Sequence, residues 1–467
     1  MNEFVTTFGF YYGVIGKEEN GQFIKRGYND LIEYGGRSKR FKSNISFNGN
    51  DVIVGEYAKK DEIYIENVGL TFRNDIGKEY SLNGKVLSIN DIVKAYFSKV
   101  KEQLDSKKEN DPCDLMHIVI PNEFTSKKKQ QLKTILKDIN FPLGGLVEEP
   151  VASYFGYVKK NQLQYLEKDS FMMVNIDYDS IKVKIFDIKQ TNQEFTFYLD
   201  SHESNNEFNI YSLLSKKILS LMEGDLKYND LSSSDQIELK RALQELIDHF
   251  QNREENSPYD FYIGLSDADA ELDKTITRDQ FIEMLQENID LLQETISKCI
   301  QKSQKSKGEI RKIIYTGDAR EVYGLQETIN QEFDIDQEIM IGEDDLACLG
   351  AFEAWKMHYQ IVDTIKSIGF VGKRGDRFIF LPKIQAYSST KKRSIKTKIP
   401  QRERFRISIY EGYKDVQIDD CVLLNVIDLI EYADGEHSLV LTREANNGHI
   451  SLEIYNQDNK VDTFKVL

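Results

Sequence analysis

Cysteine is scarce in these 467 residues: Cys113, Cys299, Cys348 and Cys421 lie far apart, without a Cys-x-x-Cys pair or the Cys/His spacing of a zinc site. That argues against a disulfide framework and against a structural metal. Proline (7) and glycine (28) are too few for a collagen-like or low-complexity chain. Lysine and arginine number 61 against 77 acidic residues, a net charge of -16. The molecule as a whole is therefore not composed to bind nucleic acid, although local basic patches remain compatible with it. No apolar run approaches the roughly 18 residues of a membrane span. The opening MNEFVTTFGFYYG lacks the basic segment and apolar stretch of a secretory leader. Reduced thiols and no address signal give a cytoplasmic expectation, under which the Asn44-Ile45-Ser46 sequon is idle.

What is present suffices for packed cores: 40% of residues are apolar and 11% aromatic. The length exceeds what one core supports, so two or more domains are expected. Residues 1–120 read as short strands before a helix near 90–105, and Ile118, Val119 and Ile120 form a buried strand ending at Pro121. Ser126 to Ile139 places Leu132, Ile135, Leu136 and Ile139 on one helical face. Lys127, Lys128 and Lys129 at its start are read either as a solvated end or as a nucleic-acid contact. A strand block follows over Phe171 to Ile188. Ser232 with Asp235, and Thr277 with Gln280, open two helices as capping boxes. The first aligns Leu239, Leu243, Leu246 and Phe250; the second runs Phe281, Leu285, Ile289, Leu292 and Ile296. Ile313 to Tyr315 is a strand leading through Gly317 into a helix. Beyond Ile361 the period changes to two, as in Phe405/Ile407/Ile409 and Ile450/Leu452/Ile454, the pattern of an antiparallel β domain. The boundary falls between about 357 and 370, which divides the chain into 1–357 and 358–467, with no internal repeat to mark it.

The common catalytic signatures are missing: no Gly-x-x-x-x-Gly-Lys-Ser/Thr, no Gly-x-Gly-x-x-Gly, no His-Glu-x-x-His and no Gly-x-Ser-x-Gly. The six histidines are scattered and read as surface or packing residues. Residue patterns alone lead only to an α/β domain followed by a β domain.

Ordered motifs carry the reading further. Ile118-Val-Ile-Pro121-Asn-Glu-Phe124 with its helix, then Val147-Glu-Glu149-Pro150-Val-Ala-Ser-Tyr-Phe-Gly-Tyr157, resemble the DnaK-type heat-shock chaperone family. Phe171 to Ile188 resembles that family's second phosphate loop, Ile313 to Gln326 its adenosine loop with Gly317 and Arg320, and Asp344 to Ala354 its Asp-Glu-Ala-x-x-x-Gly-Ala helix. The resemblance implies an α/β actin-like two-lobed ATPase domain over 1–357, followed by an all-β sandwich domain, over 358–467, that binds substrate or partner.

Set against the family pattern, the phosphate chemistry is eroded. Polyphosphate cradles need glycine because backbone N–H groups approach the ligand closely, often at positive φ. The family's Asp-Leu-Gly-Gly-Gly-Thr stands here as Asn175-Ile-Asp177-Tyr-Asp179-Ser180, and its later Gly-Gly as Ser204-Asn205. The two aspartates would oppose phosphate by roughly 1–4 kcal/mol per close pair. The metal-side aspartate aligns with Thr7, before Phe8-Gly9, or in a shifted register with Tyr11; either way the carboxylate is lost. The lysine that approaches the γ-phosphate aligns with Arg73, and the adenosine helix shows Gln244, Ile247 and Asp248. Glu149, Arg320 and Asp344 remain. By resemblance Glu149 orients water and Arg320 stacks on adenine; as plain residues they serve interlobe packing and surface pairing. The residual nucleotide set is thus Thr7, Gly9, Arg73, Glu149, Gly317, Arg320 and Asp344, with no catalytic residue and no metal ligand. ATP hydrolysis is not expected, and ATP binding without hydrolysis is left open.

Thr7-Phe8-Gly9, the Phe72-Arg73 to Ile76-Gly77 segment, and Ser367-Ile-Gly369-Phe-Val-Gly372-Lys-Arg-Gly375-Asp-Arg-Phe378 together resemble one branch, the atypical ribosome-associated Ssz-type member of fungi. Ile407-Ser-Ile-Tyr410-Glu411-Gly412 matches the family's Val-Tyr-Glu-Gly strand. The chain stops after Asp462-Thr-Phe-Lys-Val-Leu467, so no α-helical lid is expected. The resemblance implies a pseudo-ATPase forming a stable heterodimer with a J-domain co-chaperone on the ribosome. That pair would stimulate a separate catalytic heat-shock chaperone acting on nascent polypeptide. The rival expectations are an autonomous ATP-dependent foldase and a non-ribosomal adaptor. Residues 382–406 hold nine lysines or arginines, Lys383 to Arg406, against Glu403 alone. They read either as the charged face of strands that resists edge pairing, or as a contact to ribosomal RNA or to an acidic partner segment.

Overall fold

The computed structural model describes residues 2–10, 12–20, 22–26, 41–48, 51–58, 63–74, 79–82, 85–106, 113–124, 126–191, 194–205, 207–222, 226–251, 257–317, 319–333, 338–341, 344–363, 366–371, 391–399, 405–413, 422–429, 435–443, 450–456 and 459–466. A first mixed sheet is built from β1 (Glu3–Thr7), β2 (Ile15–Glu19), β3 (Gln22–Lys25), β4 (Leu115–Ile120) and β5 (Leu143–Glu148), in the order β5-β4-β1-β2-β3. β1 through β3 form an antiparallel meander, and β4 and β5 extend it as parallel strands. Ile118 to Ile120 are buried on both faces, which is why that strand reads as a continuous apolar run rather than an alternating one.

The second sheet repeats the pattern. β6 (Lys168–Asp177), β7 (Ser180–Thr191) and β8 (Glu194–Asn205) form the meander, and β9 (Lys312–Thr316) and β10 (Glu338–Ile341) add parallel strands beside β6. β11 (His358–Asp363) closes the other edge, parallel to β8. Thus 358–363, read from sequence as the start of the second unit, pairs within this sheet. The doubled topology is that of actin-like lobes. It leaves no sequence repeat because it constrains which positions are buried, not which residues fill them.

Six helices matter for the site: α1 (Val68–Asn74), α2 (Ser126–Asp138), α3 (Glu149–Lys160), α4 (Ser233–Gln251), α5 (Gln286–Ser303) and α6 (Asp344–Lys356). The expected caps form. Ser232 Oγ accepts from the Asp235 amide at 3.2 Å, and Thr277 with Gln280 makes a reciprocal capping box. The helix expected to run on from Thr277 is instead two, Arg278–Met284 and α5, because Leu285 at ψ 0° interrupts the ladder.

α3 and α6 each follow the outermost parallel strand of their sheet, and they cross at glycine. A Cβ on Gly350 would lie 1.8 Å from the Ala152 carbonyl oxygen, and one on Gly156 would lie 2.0 Å from that of Leu346. Backbone therefore meets backbone at the junction of the lobes. Around the crossing, Val5, Val119, Phe155, Phe171, Phe186, Ile314, Leu346 and Phe352 belong to one buried apolar cluster. Each lobe has a further core of its own.

Beyond residue 363 the described strands form two antiparallel sheets. One contains Lys366–Val371, Phe405–Tyr413 and Val422–Leu429; the other contains Lys391–Ile399, Gly435–Arg443, Ile450–Asn456 and Asn459–Lys465. Ile407, Ile409, Leu452 and Ile454 are fully buried, as period two predicts. Gly372 to Phe378, and 382–390 and 400–404 of the basic stretch, lie outside the described residues. Among the described residues no helix is long and apolar enough to cross a membrane.

Candidate functional site: the interlobe cleft

A cavity of about 340 Å³ opens between the two sheets. Its first-lobe wall is made by Gly9 and Phe10 after β1, Arg73 on α1, Pro121 and Glu123 after β4, and Glu149 at the start of α3. Its second-lobe wall is made by Asn175 and Asp177 on β6, Asp179 in the turn, and Ser180, Lys182 and Lys184 on β7. The first wall gathers the ends of β1 and β4 with α1 and the start of α3, and the second is the antiparallel β6–β7 hairpin.

The charges in the cavity answer one another. Lys184 Nζ lies 2.5 Å from Glu123 Oε1 and also donates to Asn122 Oδ1. Arg73 Nη1 stands 3.8 Å from Glu123 Oε2, and Lys182 Nζ 3.7 Å from Asp177 Oδ2. Burial works against ionisation of Glu123, but Lys184, Lys182 and Arg73 outweigh it and hold its carboxyl well below the usual carboxylate range. Glu149 behaves oppositely. Desolvation pushes it up to about 7, Glu123 and Asp177 add to the rise, and Lys184 offsets part of it. Thr316 Oγ1 donates to Glu149 Oε1 at 3.4 Å and accepts from Asn175 Nδ2 at 3.3 Å. The Asn175 Oδ1 atom is buried with no hydrogen-bond partner.

Three of the residues singled out from sequence, Gly9, Arg73 and Glu149, line the cavity together. Thr7, Gly317 and Arg320 do not line it. Thr7 Oγ1 accepts from the Val14 amide at 3.2 Å and so closes the turn between β1 and β2. Gly317, at φ +100°, lies so close to β6 that a Cβ there would sit 2.1 Å from the Ile176 carbonyl oxygen. Arg320 is buried beneath its own loop, with Nη1 donating to the Gly317 carbonyl at 2.8 Å and Nη2 meeting Glu321 at 3.0 Å. Asp344 is the first residue of α6, and its side chain lies outside the described residues, as does Tyr11. On the adenosine side, Tyr211 donates to Gln244, Gln244 Nε2 donates to Asp248 Oδ1 at 2.6 Å, and Ile247 is fully buried. Of the lysine run, Lys128 sits 4.7 Å from the Phe72 ring and Lys129 pairs with Glu148.

Sequence reasoning missed Glu123, Lys182 and Lys184. Glu123 stood inside a quoted motif but was read only as part of its pattern. The two lysines alternate with the fully buried Ile181, Val183 and Ile185. Lysines at i and i+2 in an otherwise apolar strand point to one shared face, and that signal was available.

The lining differs from the family's phosphate cradle in residue chemistry. Asp177 pairs with Ser180 across a two-residue turn, which sets the carboxylates of Asp177 and Asp179 where the family's pattern has glycine. Ser204 and Asn205 continue β8 as paired strand rather than forming a loop. The lining cations already face carboxylates of the chain itself. No group of three or more potential metal ligands occurs among the described residues.

Comparison with known proteins places the chain. The profile described as Hsp70 protein matches residues 73–425, about three quarters of its length. The chloroplastic stromal 70 kDa heat shock-related protein of Pisum sativum is 20% identical over 257 residues, 53% of this chain and 34% of that protein. The chaperone protein DnaK of Mycoplasma mycoides subsp. mycoides is 20% identical over 341 residues, 70% of this chain and 55% of that protein. The chain therefore spans between about a third and about half the length of these relatives. With two lobes of actin-like topology, a cleft between them and a family match over most of its residues, the chain belongs to the Hsp70 family.

Proposed function

We propose that this chain is a non-catalytic Hsp70-family subunit that pairs with a J-domain protein in the cytoplasm, as a ribosome-associated co-chaperone for nascent chains. The observation that carries the reading is the ion cluster of Lys184, Glu123 and Arg73 in the cleft where the family binds phosphate. A cleft whose described cations are matched by its own carboxylates, with Thr7 in place of a metal-side aspartate, offers a triphosphate little uncompensated positive charge. Binding then replaces turnover as the useful property. The Thr7-Phe8-Gly9, Phe72-Arg73 and Ser367-Ile368-Gly369 motifs support the ribosome-associated branch over other family members. The subunit would hold its partner through the antiparallel sheets of the second unit, by strand-like hydrogen bonding and apolar pockets.

The test is affinity purification from the native cell at low salt, with mass spectrometry and ribosome pelleting. Recovery of one stoichiometric J-domain protein with ribosomes is the expected result. A free monomer away from ribosomes overturns the reading, and a stoichiometric partner that never pellets with ribosomes replaces it with a non-ribosomal adaptor.

A further inference from the structure

Lys184 stands on β7 in the second lobe, with its side chain only 6% exposed. Its ammonium group leaves that lobe and ends on two acceptors of the first, Asn122 Oδ1 and Glu123 Oε1. Glu123 is held in turn by Arg73, a residue of its own lobe carried on α1. A second polar contact crosses the same cleft, from Thr316 on β9 to Glu149 on α3. Further out, Lys240 on α4 stands 3.9 Å from Glu66, but both side chains are exposed, and such pairs contribute little. The Lys184–Glu123 contact differs because it is a charge-assisted hydrogen bond from a buried ammonium group, and such bonds are the strong ones.

We propose that the Lys184–Glu123–Arg73 cluster is a built-in cross-link that holds the two lobes closed without nucleotide. It rests on the reading of the cleft as non-catalytic, and it extends that reading to the resting conformation. A nucleotide would join lobes only while bound. This cluster is part of the chain, so the closed form is its ground state, and the surfaces that closure shapes are presented permanently. Lys184 acts here as a positioning residue. Its replacement removes the cation that, among the described residues, reaches Glu123 from the opposite lobe with a hydrogen bond.

Hydrogen–deuterium exchange on the full chain tests the proposal through peptides covering 115–124 and 181–188. Without nucleotide both are expected to be protected, and magnesium-ATP is expected to leave them unchanged. Lys184→Met is expected to speed their exchange by about ten-fold or more, the loss of a hydrogen bond to a charged group. Peptides from α5, in the core of the second lobe, are expected to keep wild-type exchange. Lys184→Arg, which keeps the charge, is expected to retain most of the protection. If Lys184→Met also loosens α5, Glu123→Gln decides, with the same local acceleration expected from a residue that keeps its shape. Fast exchange in the nucleotide-free wild type that magnesium-ATP then slows overturns the cross-link, as do variants with unchanged local exchange. ATP turnover measured on the same samples separates the two ideas. Hydrolysis with a protected cleft ends the non-catalytic reading and leaves the cross-link standing; an unprotected cleft without hydrolysis does the reverse.

Discussion

Replacing Glu149 with glutamine should stabilise this protein at neutral pH and do little in acid. Glu149 is buried at the start of α3, with Thr316 Oγ1 as its hydrogen-bonding neighbour at 3.4 Å. Desolvation, reinforced by Glu123 and Asp177, pushes its carboxyl up to about 7, against roughly 4.3 in an unfolded chain. Between those values the folded protein holds a proton that the unfolded chain has released. The unfolded state therefore binds fewer protons, and stability falls as pH rises through that window. At about 1.36 kcal/mol per pKa unit the full penalty is on the order of 4 kcal/mol above pH 7 and close to zero near pH 4. Glutamine keeps the shape and the acceptor but carries no charge to desolvate. Paired denaturant titrations of wild type and Glu149→Gln from about pH 4 to pH 8 should show a gap that opens by roughly 3–4 kcal/mol in favour of the variant. A gap that is flat with pH, or a variant less stable at pH 8, would refute the reasoning and mean that ionised Glu149 is compensated by its neighbours.

Other perturbations follow from the packing. Gly350→Ala would place a methyl 1.8 Å from the Ala152 carbonyl oxygen; forcing α3 and α6 apart should cost about 3 kcal/mol or more. Gly308→Ala meets no heavy atom within 4 Å and should fall within about 0.5 kcal/mol of wild type, so equal melting curves for the two variants would contradict the crossing. Lys312 Nζ lies 2.8 Å from Asp169 Oδ2, which also accepts from the Tyr154 hydroxyl at 2.9 Å. Lys312→Met leaves that buried carboxylate without its cation and should cost about 3–5 kcal/mol in chemical denaturation. Recovery of most of that loss on adding Asp169→Asn would identify the stranded charge as its cause.

The elements were legible where one local rule governs them. Leu239, Leu243, Leu246 and Phe250 line one helix face and are all fully buried; Ile407 and Ile409 alternate with less buried neighbours because a single sheet face is covered. The doubling of the lobes was legible only through the ordered family motifs and not through residue periodicity, since β1 and β6 share a topological place without sharing residues. In the cleft, the losses could be read position by position: Thr7, Asp177 and Asp179 stand where the family pattern asks for other chemistry. What replaced that chemistry could not. Arg73, Glu123 and Lys184 are separated by 50 and 61 residues along the chain, and only folding brings a lysine of one lobe against a carboxylate of the other. Arg320 makes the same point in reverse. Its place in the adenosine-loop motif suggested stacking on a base, whereas its guanidinium bonds to the Gly317 carbonyl of its own loop.

Single-turnover hydrolysis of radiolabelled ATP, by the purified full chain with and without a J-domain protein, bears on the whole account. Burial of Lys184 against Glu123 and the absence of a carboxylate at Thr7 predict turnover no faster than buffer, and no stimulation by the J-domain protein. Hydrolysis that the J-domain protein accelerates would contradict it and return the chain to the ATP-driven members of its family.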